Sequence, residues 1–170
     1  MASLLRPFLD RWRLCALLAS AATLAIAHAF ETFGHMAPCE LCLKQRVVYW
    51  VAGGVALGAM IAVRLPRGAR LRQLSCWLLG LIFLVGAGIA IYHAGVEWKF
   101  WPGPQTCTGT GKVDLGQLKD LIAGKLHNIV RCDQPAWVFL GLSMAGWNAV
   151  ASLILVALSA AAALRERAKA

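Results

Sequence analysis

The sequence predicts an all-α membrane protein, a four-helix transmembrane up-down bundle with two extracytoplasmic loops that carry cysteines. Two observations predict this class. The 170 residues are 59% hydrophobic and only 15% charged, a balance typical of integral membrane proteins and unusual in soluble domains. Spanning a bilayer takes roughly 20 mostly apolar residues, with a range near 17–25. Four uncharged apolar runs meet that requirement, at residues 14–30, 47–63, 74–92 and 136–164.

Each apolar run defines one helix, and short connections between runs make successive helices antiparallel neighbours. Pro66 and Gly68 end the second helix in a tight turn. Too little chain lies outside the runs for a separate soluble domain, so we expect one integral membrane domain over residues 1–170. The predicted helices cover roughly 14–33, 47–63, 74–92 and 138–164, and the outer loops cover roughly 34–46 and 93–136.

The basic residues are distributed unevenly between the two sides of the predicted bundle. Ten of them share one side with only two acids, Asp10 and Glu166; they are Arg6, Arg11, Arg13, Arg64, Arg67, Arg70, Arg72, Arg165, Arg167 and Lys169. The positive-inside rule therefore places both termini in the cytoplasm and both cysteine-bearing loops outside. This topology and attraction to anionic lipids explain the net charge of +9. No folded basic surface for nucleic acid is predicted.

The first run also resembles a cleavable signal peptide. Arg11 and Arg13 precede it, and residues 27–29 read as an A-x-A cleavage site. Cleavage would leave three helices, with both cysteine pairs still outside. Glu31 and Thr32 also fit the outer end of a retained helix, and we expect helix one to be retained.

Four of the six cysteines lie in the two outer loops. Cys39 and Cys42 form a C-x-x-C directly before helix two, where the helix amide dipoles, Lys44 and Arg46 stabilise a thiolate. Such a pair exchanges disulfides instead of serving as an inert staple. Zinc sites also use C-x-x-C, but neither a second close pair nor a histidine pair at ligand spacing accompanies it. The sequence therefore predicts no metal here.

The long outer loop contains Cys107 and Cys132, with 24 residues between them. Taken alone, this pair predicts a structural disulfide, which an oxidising compartment permits. Beside a C-x-x-C on the same face, it also fits a relay in which two cysteine pairs exchange electrons. Cys15 and Cys76 lie near the cytoplasmic ends of helices one and three, and we expect them to behave as small apolar residues.

Repeated disulfide formation requires an electron acceptor. The sequence has no flavin or nucleotide motif, so a lipid-soluble quinone is the natural acceptor for a dithiol at a helix end in a bilayer. The candidate contacts are Arg46, one turn into helix two, and His93, at the outer end of helix three. Arg46 fits a snorkelling interfacial position equally well. We expect His28, His35 and His127 to be solvated or interfacial.

Part of the long loop has the periodicity of a helix. Its apolar residues recur at helical spacing at Leu115, Leu118, Leu121, Ile122, Leu126 and Ile129. Because the segment is too short to span the bilayer, it is predicted to be an amphipathic helix in the interface, or a loop helix with only a packing role. Trp98 and Trp101 would anchor the start of the loop at the head groups.

These features together resemble the DsbB family, the membrane thiol:quinone oxidoreductases of the bacterial envelope. The resemblance covers the whole chain. It is sharpest over residues 38–46, Pro-Cys-Glu-Leu-Cys-Leu-Lys-Gln-Arg, which are similar to the family's P-C-x-x-C-x-x-x-R run. Residues 92–93, residues 101–104 and Cys107 are similar to the family's third-helix end and second-loop entry.

The resemblance also implies roles for these residues. Cys107–Cys132 would be the disulfide attacked by a reduced DsbA-like thioredoxin-fold protein, with Cys107 taking the mixed disulfide. Cys132 would then attack Cys39. The released Cys42 would interact with ubiquinone or menaquinone beside Arg46. The implied location is the bacterial inner membrane, with both termini cytoplasmic and the active cysteines periplasmic.

Other functions stay open at this stage. One is a non-catalytic membrane scaffold with structural disulfides. Another is a quinone reductase similar to the vitamin K epoxide reductase family, although in that family the C-x-x-C lies in the last helix, whereas here it precedes helix two. A b-type haem carrier would use His28 and His93, both of which lie at helix ends.

Overall fold

The computed structural model describes residues 2–63, 68–104, 119, 122–123, 128–129 and 131–168. Its helices are α1 (Ala2–Asp10), α2 (Trp12–Gly34), α3 (Glu40–Ala62), α4 (Gly68–Glu97) and α5 (Met144–Ala168). Its short strands are β1 (Met36–Ala37), β2 (Asn128–Ile129), β3 (Val138–Phe139) and β4 (Leu142–Ser143). Four helices, α2 to α5, contain segments long and apolar enough to cross a membrane. The predicted four-helix membrane fold is confirmed.

The spanning helices extend beyond the apolar runs that predicted them. α3 begins at Glu40 instead of residue 47, and α4 continues to Glu97 instead of ending at 92. The extra turns contain charged and polar residues, such as Lys44, which lower the hydropathy without breaking the helix. As a consequence, Cys42 and Arg46 belong to α3 itself and do not lie in a loop before it.

The fourth spanning helix begins later than predicted. Residues 138–143 form an antiparallel hairpin in which Val138 pairs with Ser143. Its two turn residues, Leu140 and Gly141, have φ angles of 51° and 79°. Positive φ at both central positions is the geometry that a two-residue hairpin turn requires. The hairpin therefore takes up the start of the apolar run before α5 begins at Met144.

The helices pack in the order α2, α3, α4, α5, and neighbours in this series make the extensive contacts. Small residues permit close approach. At Gly86 on α4, an added Cβ would come within 2.9 Å of a Val48 methyl carbon on α3. α2 and α5 contact each other only slightly. The bundle is therefore least tightly closed between α2 and α5.

The two cysteine-bearing loops are joined by a parallel bridge between β1 and β2. Met36 pairs with Asn128, and Ala37 pairs with Ile129. The predicted amphipathic helix lies largely outside the described residues, as do Cys107 and His127; its final residue, Ile129, belongs to β2. The bridge brings the chain before Cys39 beside the chain before Cys132.

The segment after α4 folds back on that helix. Trp101 Nε1 donates a 2.8 Å hydrogen bond to the Tyr92 carbonyl, and the two rings stack with centroids 6.0 Å apart. Gly95 makes this possible, because an added Cβ would lie only 2.1 Å from the Trp101 ring. This contact fixes the direction in which the chain leaves α4.

We call the two extremities of the bundle the cysteine end and the arginine end. The cysteine end contains Cys39, Cys42, His93 and Cys132. At the arginine end, Trp12 Nε1 donates to Ser159 Oγ at 3.1 Å. Both acids on the predicted cytoplasmic side are ion-paired there, Glu166 with Arg72 at 3.0 Å and Asp10 with Arg165 at 2.9 Å. Arg64, Arg67 and Lys169 lie outside the described residues.

Candidate active site

Cys39 caps the amino terminus of α3. Its backbone is extended, with φ −74° and ψ 168°, and its Sγ accepts a hydrogen bond from the Cys42 backbone N–H at 3.3 Å. The sulfur thus takes the position that a Ser or Asp oxygen usually occupies at this point of a helix. The C-x-x-C spacing fits this geometry. It places the second cysteine three positions after the cap, where the backbone N–H meets the cap side chain. Both sulfurs are thereby held at the positive end of the helix dipole.

The two thiols are free and directly hydrogen-bonded to each other. Cys39 Sγ donates to Cys42 Sγ across 2.9 Å. This hydrogen bond, followed by burial of the side chain, raises the pKa of Cys39 well above that of an ordinary thiol. The proton is therefore held on Cys39, while the sulfur of Cys42 acts as the acceptor. The pair has the geometry of a dithiol poised to close into a disulfide.

His93 approaches this pair from α4. Its Nε2 lies 3.8 Å from Cys39 Sγ, and its Nδ1 lies 2.9 Å from Gln45 Nε2. Gln45 is held in turn, since its Oε1 accepts a hydrogen bond from the Asn148 amide of α5. Tyr49 Oη completes the series by donating to Asn148 Oδ1 at 2.5 Å. A buried polar network across α3, α4 and α5 therefore fixes the orientation of the imidazole.

Glu97 adds a carboxyl group one turn beyond His93. Its Oε1 lies 3.8 Å from His93 Nε2, and its Oε2 accepts a hydrogen bond from Ser143 Oγ. Ser143 also accepts the Gly146 N–H at 3.1 Å, so the same hydroxyl satisfies the start of α5. Both Glu97 and His93 are buried. Ionisable side chains inside a spanning segment are rare and usually functional.

Cys132 is fully buried and lies in the same packed cluster as Cys39, Leu41 and Val96, with Cys42 against it. It is disulfide-bonded. Its predicted partner, Cys107, lies outside the described residues. One cysteine of the long loop is therefore packed into the cluster that contains the C-x-x-C.

Asp133, the residue after Cys132, joins this part of the long loop to the segment that follows α4. Lys99 Nζ lies 3.1 Å from Asp133 Oδ2, and Arg131 Nε lies 3.0 Å from Asp133 Oδ1. Partial burial opposes ionisation, but the hydrogen bonds from Lys99 and Arg131 prevail and hold the pKa of Asp133 below its usual range. Asp133 therefore anchors the chain beside Cys132 as a charged group.

A cavity of about 470 Å³ opens beside Cys42, in the gap between α2 and α5. Its walls are predominantly apolar, including Phe30, Ala37 and Trp137. Polar atoms enter it at Cys42, Arg46, Gln45, His93, Glu97 and Asn148. A mostly apolar cleft with a few converging polar groups is the usual form of a small-molecule site, with volumes of roughly 300–1,000 Å³.

Arg46 lies in the wall of this cavity. Its Nη1 is 2.5 Å from Glu31 Oε2, and its Nη2 donates to the Ala27 carbonyl at 3.1 Å. The side chain is only 14% exposed, which favours the wall position over a snorkelling one. Lys44, by contrast, is exposed and paired with Glu40 at 2.7 Å. Of these two cations, Arg46 is therefore the one that faces the site.

A match to a protein family accords with this geometry. The family Disulfide bond formation protein DsbB matches residues 10–162. The chain belongs to the DsbB family. Similar proteins named Disulfide bond formation protein B occur in Nitrosococcus oceani, with 32% identity over 86% of this chain and 83% of the relative, and in Marinobacter nauticus, with 33% identity over 87% and 88%. Another, in Dechloromonas aromatica, is 30% identical over 73% of each chain.

Membership in the DsbB family identifies the chain as a multi-pass membrane oxidoreductase that forms disulfide bonds. It favours this function over the scaffold and over the vitamin K epoxide reductase alternative. Among the described residues, the free thiols away from the C-x-x-C are Cys15 and Cys76. Cys15 Sγ contacts the Phe8 carbonyl at 3.6 Å, and Cys76 is buried in the core at the arginine end. His28 and His35 are exposed, and His127 lies outside the described residues.

Several polar residues of the site were missed by the sequence analysis: Glu31, Gln45, Tyr49, Glu97, Ser143 and Asn148. A signal existed for one of them. Asn148 is the only amide side chain in the run 136–164. Polar groups in spanning segments usually face the bundle interior or a cavity. Gln45 and Glu97 gave no such signal, because they lie outside the apolar runs that defined helices two and three.

Proposed function

We propose that the protein is a thiol:quinone oxidoreductase of the bacterial inner membrane. It reoxidises the dithiol of a DsbA-like thioredoxin-fold protein in the periplasm and passes the electrons to ubiquinone or menaquinone. The observation that carries this proposal is the cavity beside Cys42, an apolar space that a free thiol, a guanidinium and an imidazole all line.

The residues around the cavity fit a quinone. A quinone has a flat ring with two carbonyl oxygens and an apolar tail, so its site needs apolar walls and a few hydrogen-bond donors. Arg46 and His93 would hold the ring beside Cys42, and the apolar walls of α2 and α5 would receive the tail. The Arg46 guanidinium is held by Glu31, so little reorganisation is needed to present its charge. When bound, a quinone supplies an acceptor for two electrons and two protons.

The packing of Cys132 supports an exchange of electrons between the two cysteine pairs. In this mechanism Cys107–Cys132 is the disulfide that the reduced partner attacks, with Cys107 forming the mixed disulfide. Partner oxidation leaves Cys107 and Cys132 reduced, and the Cys132 thiolate attacks Cys39. That step forms a Cys132–Cys39 bond, breaks the Cys39–Cys42 bond and releases the Cys42 sulfur towards the cavity. Attack of Cys107 on Cys132 then restores Cys107–Cys132 and leaves Cys39 and Cys42 reduced. The Cys39–Cys42 disulfide re-forms as two electrons and two protons pass to the quinone. Burial of Cys132 and Cys39 in one cluster shortens the path for this attack.

Within the C-x-x-C, the two sulfurs have different tasks. Cys42 borders the cavity and carries the electrons out, while Cys39 is turned towards Cys132 and His93. The helix dipole and Arg46 both favour negative charge on the Cys42 sulfur. His93, oriented by Gln45, is close enough to exchange a proton with Cys39 as the disulfide closes.

The arrangement of charges supports the proposed orientation. Arg13 and Arg72 meet at the arginine end, where Arg13 Nη1 donates to the Arg72 carbonyl at 3.5 Å. The positive-inside rule places that end in the cytoplasm. Both termini are then cytoplasmic, and the cysteine end faces the periplasm.

The test is oxidation of a reduced DsbA-like thioredoxin-fold protein by the purified protein in detergent, with and without added quinone. We expect catalytic oxidation of the partner and stoichiometric reduction of the quinone, one quinone for each disulfide formed. Cys15→Ala provides a matched control, because it removes a free thiol far from the cavity. Partner oxidation that is independent of quinone, or an inactive protein with all site cysteines intact, would contradict the proposal.

A further inference from the structure

Three potential metal ligands meet at the cysteine end. Cys39 Sγ, Cys42 Sγ and His93 Nε2 all lie within 4.8 Å of one another. The two sulfurs are 2.9 Å apart, and Cys39 Sγ is 3.8 Å from His93 Nε2. The sequence could not show this group, because His93 comes from a different helix from the C-x-x-C.

These separations are close to those of a tetrahedral zinc site. Zinc binds sulfur at about 2.3 Å and imidazole nitrogen at about 2.0–2.1 Å, which sets neighbouring ligand atoms about 3.5–3.8 Å apart. The sulfur-to-nitrogen distance of 3.8 Å already fits. The two sulfurs, 2.9 Å apart, would need to separate by about 0.9 Å, which small side-chain rotations supply.

The orientation of the imidazole directs one nitrogen at the two sulfurs. Its Nδ1 accepts a hydrogen bond from the Gln45 amide, which Asn148 holds, so Nε2 faces the sulfurs and carries the ring proton. Ligation by Nε2 requires this proton to move to Nδ1 and the Gln45 amide to turn its oxygen towards the ring. The second nitrogen then donates a hydrogen bond, as it nearly always does in metal sites. Glu97 Oε1 lies 3.8 Å from the same Nε2.

We propose that the reduced C-x-x-C and His93 form a binding site for a soft divalent cation, with Zn²⁺ as the favoured metal. Two thiolates and an imidazole select zinc over magnesium or calcium, which prefer oxygen ligands. Binding displaces the thiol protons and moves no electrons. Oxidation of the pair to a disulfide removes both sulfur ligands and releases the metal. Metal binding and disulfide formation are therefore mutually exclusive states of the same two cysteines.

The experiment uses full-length protein in detergent, reduced with a phosphine that is then removed. Titration with Zn²⁺ alone, and with Cd²⁺ followed by its thiolate charge-transfer absorption, measures affinity and stoichiometry without quinone or partner. Cys107→Ser/Cys132→Ser protein limits the count to the site under test. We expect one metal ion per chain, and no binding after the Cys39–Cys42 pair has been oxidised in the same preparation.

Variants then separate this site from chance binding by thiols. Cys42→Ser should abolish binding, whereas Cys15→Ala should leave it unchanged. Gln45→Leu should weaken binding by ~10–100-fold, as loss of a group that orients a ligand usually does, and His93→Ala should weaken it further. Absence of binding to the reduced protein would overturn the proposal, as would equal affinity in Cys42→Ser or His93→Ala. Since the titration needs no turnover, a failed quinone assay would leave this result standing.

Discussion

The two ends of the bundle each bury a cysteine, yet only one of them has the form of a redox site. Cys39 at the cysteine end is 6% exposed, and Cys76 at the arginine end is 1% exposed. Cys76 lies in an apolar cluster with Leu79 and Phe83. Cys39 has a second thiol 2.9 Å away and an imidazole at 3.8 Å. Burial alone therefore does not give a thiol the form of a redox site. The groups next to its sulfur do.

The ends also differ in how they treat their polar groups. At the arginine end, a buried polar contact closes the packing, where Trp12 donates to Ser159 across the core. At the cysteine end, the network from Tyr49 to His93 lines a cavity and leaves reactive atoms on its surface. Preorganised polar groups around an apolar space favour chemistry over tight packing. Substitutions at the two ends should therefore differ in their effect on turnover.

The largest effect is expected from removing the sulfur of one cysteine at the cysteine end, compared with removing one at the arginine end. Cys42→Ser should reduce disulfide-forming turnover to background, since loss of a nucleophile costs on the order of 10⁶-fold. Cys76→Ala should turn over normally, because its sulfur only fills space. The measurement is steady-state oxidation of the reduced partner. A severe defect in Cys76→Ala with intact folding would remove the contrast between the two ends.

A second prediction concerns Cys132, which packs with Cys39. Cys132→Ser should leave Cys107 without its resolving thiol, so a mixed disulfide with the partner should accumulate while turnover stops. Non-reducing gel electrophoresis after mixing with the oxidised partner detects this species, because the lone Cys107 thiol forms it by attacking the disulfide of the partner. Full turnover in both Cys107→Ser and Cys132→Ser would show that the loop pair takes no part in the relay.

Arg46 and Arg72 provide a matched pair of arginines, each ion-paired to a glutamate at a different end. Arg46→Gln should raise the apparent KM for quinone or slow quinone reduction, by up to ~10²–10³-fold for a contact that acts in the transition state. Formation of the Cys107 mixed disulfide should stay near normal. Arg72→Gln should leave quinone kinetics unchanged. The measurements are steady-state kinetics with varied quinone and single-turnover disulfide exchange with the reduced partner. Equal effects of Arg46→Gln and Arg72→Gln on quinone kinetics would exclude a local role for Arg46.

The hydrogen bond between the two thiols gives a smaller, pH-dependent effect. Because the pKa of Cys39 is raised, its thiolate forms only at more alkaline pH, and each unit of pKa costs about tenfold in thiolate at neutral pH. Cys39 should therefore be alkylated slowly, and its rate should rise at higher pH than that of an ordinary thiol. Cys42→Ala removes the acceptor and should speed labelling of Cys39, with Cys76 unchanged. Mass spectrometry of labelled peptides measures both rates, and an unaltered Cys39 rate would count against the hydrogen bond.

The smallest effect is expected from the core of the arginine end. Trp12→Phe removes the hydrogen bond to Ser159 and keeps most of the apolar contact. Such bonds between membrane helices contribute about 0.6 kcal/mol on average and up to about 1.7 kcal/mol. Thermal unfolding in detergent should show that loss, with unchanged quinone kinetics. A change in the apparent KM for quinone would mean that the two ends are coupled.

Much of the fold followed from simple properties of the sequence. The four apolar runs predicted four spanning helices, and the structure has them, because no other regular structure satisfies the backbone of an isolated apolar segment in lipid. The helix limits were less accurate. Lys44 and Gln45 obscured the start of α3, and the hairpin at residues 138–143 could not be distinguished from helix by hydropathy.

The membrane class, the C-x-x-C of Cys39 and Cys42 and the candidates Arg46 and His93 could all be inferred from the sequence alone, because they depend on local composition and spacing. Which groups meet depends on the tertiary structure: Cys132 lies beside Cys39, Gln45 beside His93, and Arg46 beside Glu31. These contacts join residues from different helices and loops. Their side chains converge only after the helices have packed, so no spacing along the chain encodes them.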